Sequence, residues 1–212
     1  MQIVDPDPVL VMQFAKWPEA GRVKTRLIPE LGAEGAMKAH VRLSLAVLEN
    51  LVASGYGVRF LWDRPLDTVP DAASPIVERL EYHGVGCEWQ QGDVLGERMA
   101  LALETALQKA NKAVIVGSDC PSVDAEHVRL AVAALDEVDV VLGPSDDGGY
   151  VLIGARKTVP GMLADVAWGT ENALEQTCER LRQAGLTFAL LPDKWDVDEP
   201  EDWRRFIGQS SG

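Results

Sequence analysis

The chain has 212 residues, 47% of them hydrophobic, and sets 33 acidic side chains against 20 basic ones for a formal charge of −13. That length suffices for one large domain, which buries about 70% of the surface its unfolded chain exposes. So acidic a surface repels nucleic acid and anionic membranes, and no apolar run approaches the length of a membrane span.

The first predicted strand, residues 9–14, runs directly into a basic loop. A stripe of Met37, Val41, Leu45, Leu48 and Val52 at helical spacing follows, with Gly55 where a helix stops. A second strand is expected at 58–62, then a polar, proline-rich surface excursion at 65–75 and a short strand at 85–89. Met99, Leu103, Ala106 and Ala110 mark another helix, and the β-branched run at 113–116 reads as a buried strand. Asp124 is the expected N-cap of a helix carrying Val128, Val132 and Leu135. Strands at 138–142 and 150–153 flank an acidic, glycine-rich loop. A helix with Leu174, Cys178 and Leu181 is capped by Thr170 and closed by Gly185, and a last strand spans 187–191. Pro200 suits the first position of a final helix. Strands alternating with helices predict an α/β fold with a mostly parallel, doubly wound sheet, and without repeats or linkers a single domain over 1–212 is the simplest organisation.

Cys87, Cys120 and Cys178 are far apart and form no CxxC pair, against a disulfide framework or a structural zinc site. Residues 1–8 lack the basic and apolar regions of a secretory leader, so a soluble cytoplasmic protein is expected. His40, His83 and His127 have no ligand spacing, and His40 and His127 are expected at the surface of their helices. No nucleophile elbow, Cys–His pair or HExxH motif supports a hydrolase.

Four stretches can carry chemistry. The loop from Lys16 to Leu27 places Lys16, Arg22, Lys24 and Arg26 within eleven residues, and Gly21 lets backbone N–H groups approach an anion. At the carboxyl end of a first strand, this favours phosphate binding over a solvated turn. It is neither a GxxxxGK[ST] loop nor a GxGxxG fingerprint, which demotes P-loop and dinucleotide functions. Gly117-Ser118-Asp119-Cys120-Pro121 directly follows the strand run at 113–116. Asp119 there either caps the next helix or meets a nucleotide-bound divalent cation. In Gly143-Pro144-Ser145-Asp146-Asp147-Gly148-Gly149, the two acids either orient an acceptor or form a plain Asp-Gly turn. In Asp196-Val197-Asp198-Glu199-Pro200-Glu201-Asp202, the later acids suit a helix N-terminus, leaving Asp196 and Asp198 on an extended segment. The six tryptophans could include a stacking platform, although packing is the plainer reading.

In this order, these stretches resemble the GT-A, or nucleotide-diphospho-sugar transferase, fold. The narrower resemblance is to the radical-SAM/selenodomain-associated transferase family, some members of which are labelled arsenosugar-biosynthesis glycosyltransferases. It rests on Phe14-Ala15-Lys16, Val23-Lys24-Thr25-Arg26-Leu27, Leu95-Gly96-Glu97-Arg98-Met99, Gly117 to Pro121, Asp146 to Tyr150, Trp168 with Thr170, and Asp196-Val197-Asp198. Lys24-Thr25-Arg26-Leu27 is also similar to the phospholactate guanylyltransferases. The resemblance implies a Rossmann-like mixed sheet of about seven strands flanked by helices. It further implies Asp119 and Asp198 as ligands of Mg²⁺ or Mn²⁺, Lys24 and Arg26 on phosphates, and Arg98 among the substrate contacts. Two positions depart: Glu199 replaces an expected Thr cap, and Gly92-Asp93-Val94 is offset from Gly-Asp-Leu-Gly, which lowers the weight on Asp93 as a ribose contact.

The expected function is metal-dependent transfer from a bound nucleotide to a small acceptor. Lys16, Gly21, Arg22, Lys24, Arg26 and Ser118 would hold the nucleotide, and Asp146, Asp147, Gly148 and Gly149 the acceptor. The leading reading is nucleotidyl transfer from an NTP to a phosphorylated acceptor, Lys24 and Arg26 offsetting charge on the leaving oxygens. In the glycosyltransferase alternative, a nucleotide-diphospho-sugar is the donor and Asp147 the base. A non-catalytic nucleotide sensor is the third. The sequence fixes neither base, acceptor nor oligomeric state.

Overall fold

A computed structural model describes residues 8–209; residues 1–7, which carry most of the segment read for a leader, lie outside the described residues. Seven strands form one sheet: β1 (Val9–Ala15), β2 (Gly57–Trp62), β3 (Gly86–Trp89), β4 (Lys112–Gly117), β5 (Val140–Pro144), β6 (Tyr150–Ala155) and β7 (Phe188–Leu190). Among the described residues six α-helices accompany it: α1 (Ile28–Ala53), α2 (Ser74–His83), α3 (Leu95–Leu107), α4 (Ala125–Ala134), α5 (Ala173–Gln183) and α6 (Pro200–Gln209). The strand order is β3-β2-β1-β4-β6-β5-β7. Only β6 runs antiparallel to its neighbours, so the carboxyl ends of the other six share one edge.

From β1 the chain winds outward to β2 and β3, then returns to place β4 on the other side of β1. This reversal opens a crevice beyond the ends of β1 and β4, the place where open α/β sheets bind ligands. The strands that flank it read as continuous apolar runs because both faces are covered. One face packs Val11, Phe60, Val114 and Val141 against α1, α2 and α4; the other packs Met12, Ile115 and Ile153 against α3 and α5. A third cluster joins Leu27, Leu43, Trp195, Val197 and Phe206, tying the first loop and α1 to the C-terminal segment.

The expected strands are all present. Residues 65–75 are not wholly an excursion, because Pro75 sits in the first turn of α2, where a missing N–H costs nothing. His40 and His127 are buried at 5% and 2% exposure rather than lying at the surface. His40 Nε2 meets the Lys16 carbonyl at 2.9 Å. Asp124 caps α4 as expected, accepting from the His127 N–H at 2.7 Å. α5 has Asn172 at its N-cap; the Thr170 hydroxyl instead donates to the Ala167 carbonyl. Among the described residues no helix is long and apolar enough to cross a membrane, and all three cysteines are free.

Candidate active site

The loop after β1 is pinned by Trp17, which stacks on Trp62 with centroids 3.8 Å apart and planes 7° from parallel. Its amide and indole N–H groups donate to Asp63 Oδ1 at 3.0 Å and the Arg64 carbonyl at 2.9 Å. Val23 and Leu27 are buried on either side of Lys24. Lys24 adopts left-handed backbone angles, φ 45° and ψ 46°, which cost a non-glycine residue about 1–2 kcal/mol. The turn drives its ammonium into the crevice, 2.9 Å from Asp119 Oδ2 and 3.4 Å from Asp198 Oδ1. Arg26 pairs with Asp198 and lies 3.5 Å from Glu199.

Asp119 reaches this point because β4 ends on a glycine. A Cβ on Gly117 would lie 2.8 Å from Asp119 Oδ1, so a side chain there would displace the carboxylate. The Asp119 carbonyl accepts from the Val197 N–H at 2.9 Å, stitching the C-terminal segment to the end of β4. That segment is extended and alternates: Trp195 and Val197 are buried in the third cluster, while Asp196 and Asp198 are partly exposed and line cavities at the crevice. The Glu199 departure does not weaken α6, since Asp202 Oδ2 accepts from the Asp198 and Glu199 N–H groups at 3.1 and 2.8 Å.

Burial alone would raise Asp119, but the Lys24 ammonium outweighs it and holds the carboxyl down at about 2. Burial alone would lower Lys24; Asp119 and then Asp198 hold it above its ordinary value. Burial, reinforced by Asp119, Asp147 and Asp198 against a weaker pull from Lys24, pushes Asp196 up to about 7.

Two cavities meet at Asp119. The larger, about 730 Å³, is lined by Lys16, Arg22, Lys24, Arg26, Arg98 and Asp198, among others. The smaller, about 230 Å³, is lined mainly by apolar and aromatic side chains, with Asp119, Asp147 and Asp196 at its polar edge. Phe14, Leu95, Gly117 and Asp119 belong to both walls.

Several expected site residues stand elsewhere. Gly21 lines neither cavity; its φ of 79° serves the turn that ends with Arg22 N–H donating to the Glu19 carbonyl at 3.0 Å. Arg98 joins the basic cavity, donating to the Gly92 and Asp63 carbonyls at 3.0 and 3.3 Å. The Ser118 hydroxyl accepts from buried Gln13 at 2.9 Å, so it braces the cavity floor. Asp146 lines neither cavity; it is 64% exposed and 4.0 Å from Arg205. Gly148 is packed on the backbone of Glu171, where a Cβ would fall 2.2 Å from its carbonyl oxygen, so this glycine closes a loop contact. Asp147 and Gly149 do line the smaller cavity, and Asp147 Oδ1 accepts from the Ser145 hydroxyl and the Gly149 N–H. Asp93, given little weight from its shifted motif, lines the larger cavity.

Sequence reading named Asp119, Asp147 and Gly149 but missed the apolar wall of the smaller cavity. Its wall includes Tyr150 and Trp168, whose rings meet edge to face at 5.9 Å, together with Met99 and Ile153. These residues come from separate elements with no shared local pattern; the only signal was that Met99, Tyr150 and Trp168 each fall within a quoted motif. Trp17, Trp62 and Trp195 are buried packing residues.

Residues 53–170 match the family described as "Uncharacterized protein conserved in bacteria" (DUF2064). The chain belongs to this family. No curated protein matches the sequence. A candidate nucleotide-diphospho-sugar transferase of known structure from Desulfovibrio desulfuricans G20 is 31% identical, with a TM-score of 0.80 over 90% of this chain and 82% of that one. A nucleotidyl transferase from Methanothermobacter thermautotroptrophicus is 14% identical, with a TM-score of 0.65 over 95% of this chain and 97% of that one. CMP:2-keto-3-deoxy-manno-octonic acid synthetase, solved with CTP, is 12% identical, with a TM-score of 0.59 over 96% of this chain and 99% of that one. The fold of this family member is therefore that of the nucleotide-diphospho-sugar transferases.

Among the described residues no three His, Cys, Asp or Glu side chains form a ready metal cage. Mg²⁺ does not require one, since it commonly takes one or two carboxylates and completes its shell with water and substrate phosphates. Asp119 and Asp198 converge on a single cationic nitrogen, a donor set of that kind.

Proposed function

We propose that the protein is a metal-assisted transferase that takes its donor group from a nucleotide. The observation that carries this reading is the meeting of Lys24 with Asp119 and Asp198, at the crevice of a nucleotide-diphospho-sugar transferase fold. The basic cavity would hold the donor's phosphates, with Arg22 and Arg26 as mobile outer clamps and Arg98 fixed on the facing wall. Asp119 and Asp198 would hold Mg²⁺ or Mn²⁺, which when bound offsets charge on the donor phosphates. Lys24, released from its two carboxylates, would move onto the leaving phosphate oxygens. The acceptor would enter the smaller cavity, its nucleophile near Asp119 and Asp147. Asp147 is held through Oδ1, and Oδ2 makes no hydrogen bond among the described residues, so that oxygen is placed to take the acceptor's proton.

Nucleotidyl transfer is favoured by the three cations at Arg22, Lys24 and Arg26, which suit a triphosphate. Glycosyl transfer is favoured by the apolar second cavity with a carboxylate at its edge, and it accords with the narrower resemblance to the radical-SAM/selenodomain-associated transferases. Purified protein with Mg²⁺ and panels of NTPs and nucleotide-diphospho-sugars separates the two by product. Pyrophosphate release marks the first and nucleoside diphosphate release the second. Thermal shift runs in parallel, and a nucleotide at 100 times its Kd adds about 2.7 kcal/mol of stability. Nucleotide binding without turnover across acceptors would leave a sensor; no stabilisation by any nucleotide with Mg²⁺ would refute the proposal.

A further inference from the structure

The smaller cavity differs from the larger one in charge as well as size. Among the described residues no Lys, Arg or His lines it. Asp119 is answered by Lys24, but Asp147 and Asp196 have no ion-pair partner within 4.0 Å among the described residues. The rest of the wall is aromatic and aliphatic: Tyr150 and Trp168 meet edge to face beside Met99 and Ile153. A Cβ on Gly96 would lie 2.6 Å from the Leu163 carbonyl and 2.9 Å from Trp168 Nε1, so the start of α3 is packed tightly against the segment carrying this tryptophan.

We infer that this cavity selects an acceptor with an apolar body and an uncharged or cationic head, and that it excludes phosphorylated acceptors. The inference rests on the transferase reading and departs from the expectation of a phosphorylated acceptor. A phosphate monoester in this cavity would meet carboxylates at its edge and find no fixed cation to neutralise it. An aryl or alkyl body instead displaces water from the aromatic wall, leaving a hydroxyl or amine beside Asp147. The transfer then balances simply. The acceptor oxygen or nitrogen forms the new bond, the donor's bond to phosphate breaks with the electron pair leaving on phosphate oxygen, and the acceptor proton passes to Asp147.

A matched trio with one apolar body tests this: 2-phenylethanol, 2-phenylethylamine and 2-phenylethyl phosphate, titrated by calorimetry into the intact protein with and without Mg²⁺. The alcohol or the amine should bind at least tenfold tighter than the phosphate in both conditions. Trp168→Ala should weaken that binding at least tenfold while leaving the Kd for Mg²⁺-nucleotide unchanged, and Asp147→Asn should narrow the discrimination against phosphate. Equal or tighter binding of the phosphate, no binding of any of the three, or unaltered binding in Trp168→Ala would each overturn the inference. Nucleotide titration in the same samples keeps the two claims apart, because its failure strikes the transferase reading and its success isolates the acceptor claim.

Discussion

The loop beyond β1 and the pocket beyond β4 and β6 open from the same edge of one sheet and share Asp119, yet their chemistry is opposite. The first gathers Lys16, Arg22, Lys24, Arg26 and Arg98 in an otherwise acidic protein; the second has an aromatic wall and an acidic edge. The contrast teaches that the reversal of strand order supplies only a crevice, while side chains on either side of it decide what each half accepts. A basic half and an acidic half separated by one carboxylate suit a reaction that moves a group from an anionic donor to a non-anionic acceptor.

The contrast breaks most severely at the shared wall. Asp119→Asn should lower Mg²⁺-dependent nucleotide affinity at least a hundredfold by calorimetry, because it removes one carboxylate of the two and leaves Lys24 without its nearer partner. On the basic side alone, Arg26→Ala should cost about tenfold in nucleotide affinity, near 1.4 kcal/mol, with no change in affinity for a neutral acceptor probe. The residue is exposed, so melting temperature should hold while binding falls.

A weaker effect concerns pH and lies mostly outside the contrast. Burial lowers His40 and His127, the Lys194 charge adding to the shift at His127, so both hold a proton less readily when folded than once unfolded. Their contribution to stability is therefore complete above the unfolded value near 6.5 and is lost as pH falls below it, by at most about 1.4 kcal/mol per pH unit for each excluded proton. Melting temperature should drop between pH 7 and 5, and His127→Gln should flatten that slope. The smallest effect belongs to Asp146, whose long contact with Arg205 is exposed; Asp146→Ala should alter stability by less than about 0.5 kcal/mol and leave both ligand affinities unchanged.

Much of the basic half was legible because its signals are local. Four cations after a strand, and an Asp closing a β-branched run, can be seen without knowing what lies beside them. The pairing of Trp195 and Val197 inward with Asp196 and Asp198 outward is also local, since an extended segment alternates faces. The acidic half was legible only in Asp119, Asp147 and Gly149; its apolar wall was not, because Met99, Tyr150 and Trp168 meet only after α3, β6 and the loop before α5 have packed, and each reads alone as core. The same reason hid His40, whose burial depends on the Lys16 carbonyl arriving from another loop, and Gly148, whose smallness answers the backbone of Glu171. α2 escaped because prolines at 65, 70 and 75 read as loop, although the last of them begins a helix.

Anomalous diffraction from crystals grown with Mn²⁺ and a nucleotide tests the central claim most directly. A manganese peak between Asp119 and Asp198, with donor phosphates reaching towards Arg26 and the smaller cavity left free for the acceptor, is the predicted result. A nucleotide whose phosphates lie in the Tyr150–Trp168 cavity, or a metal bound away from both aspartates, would contradict it.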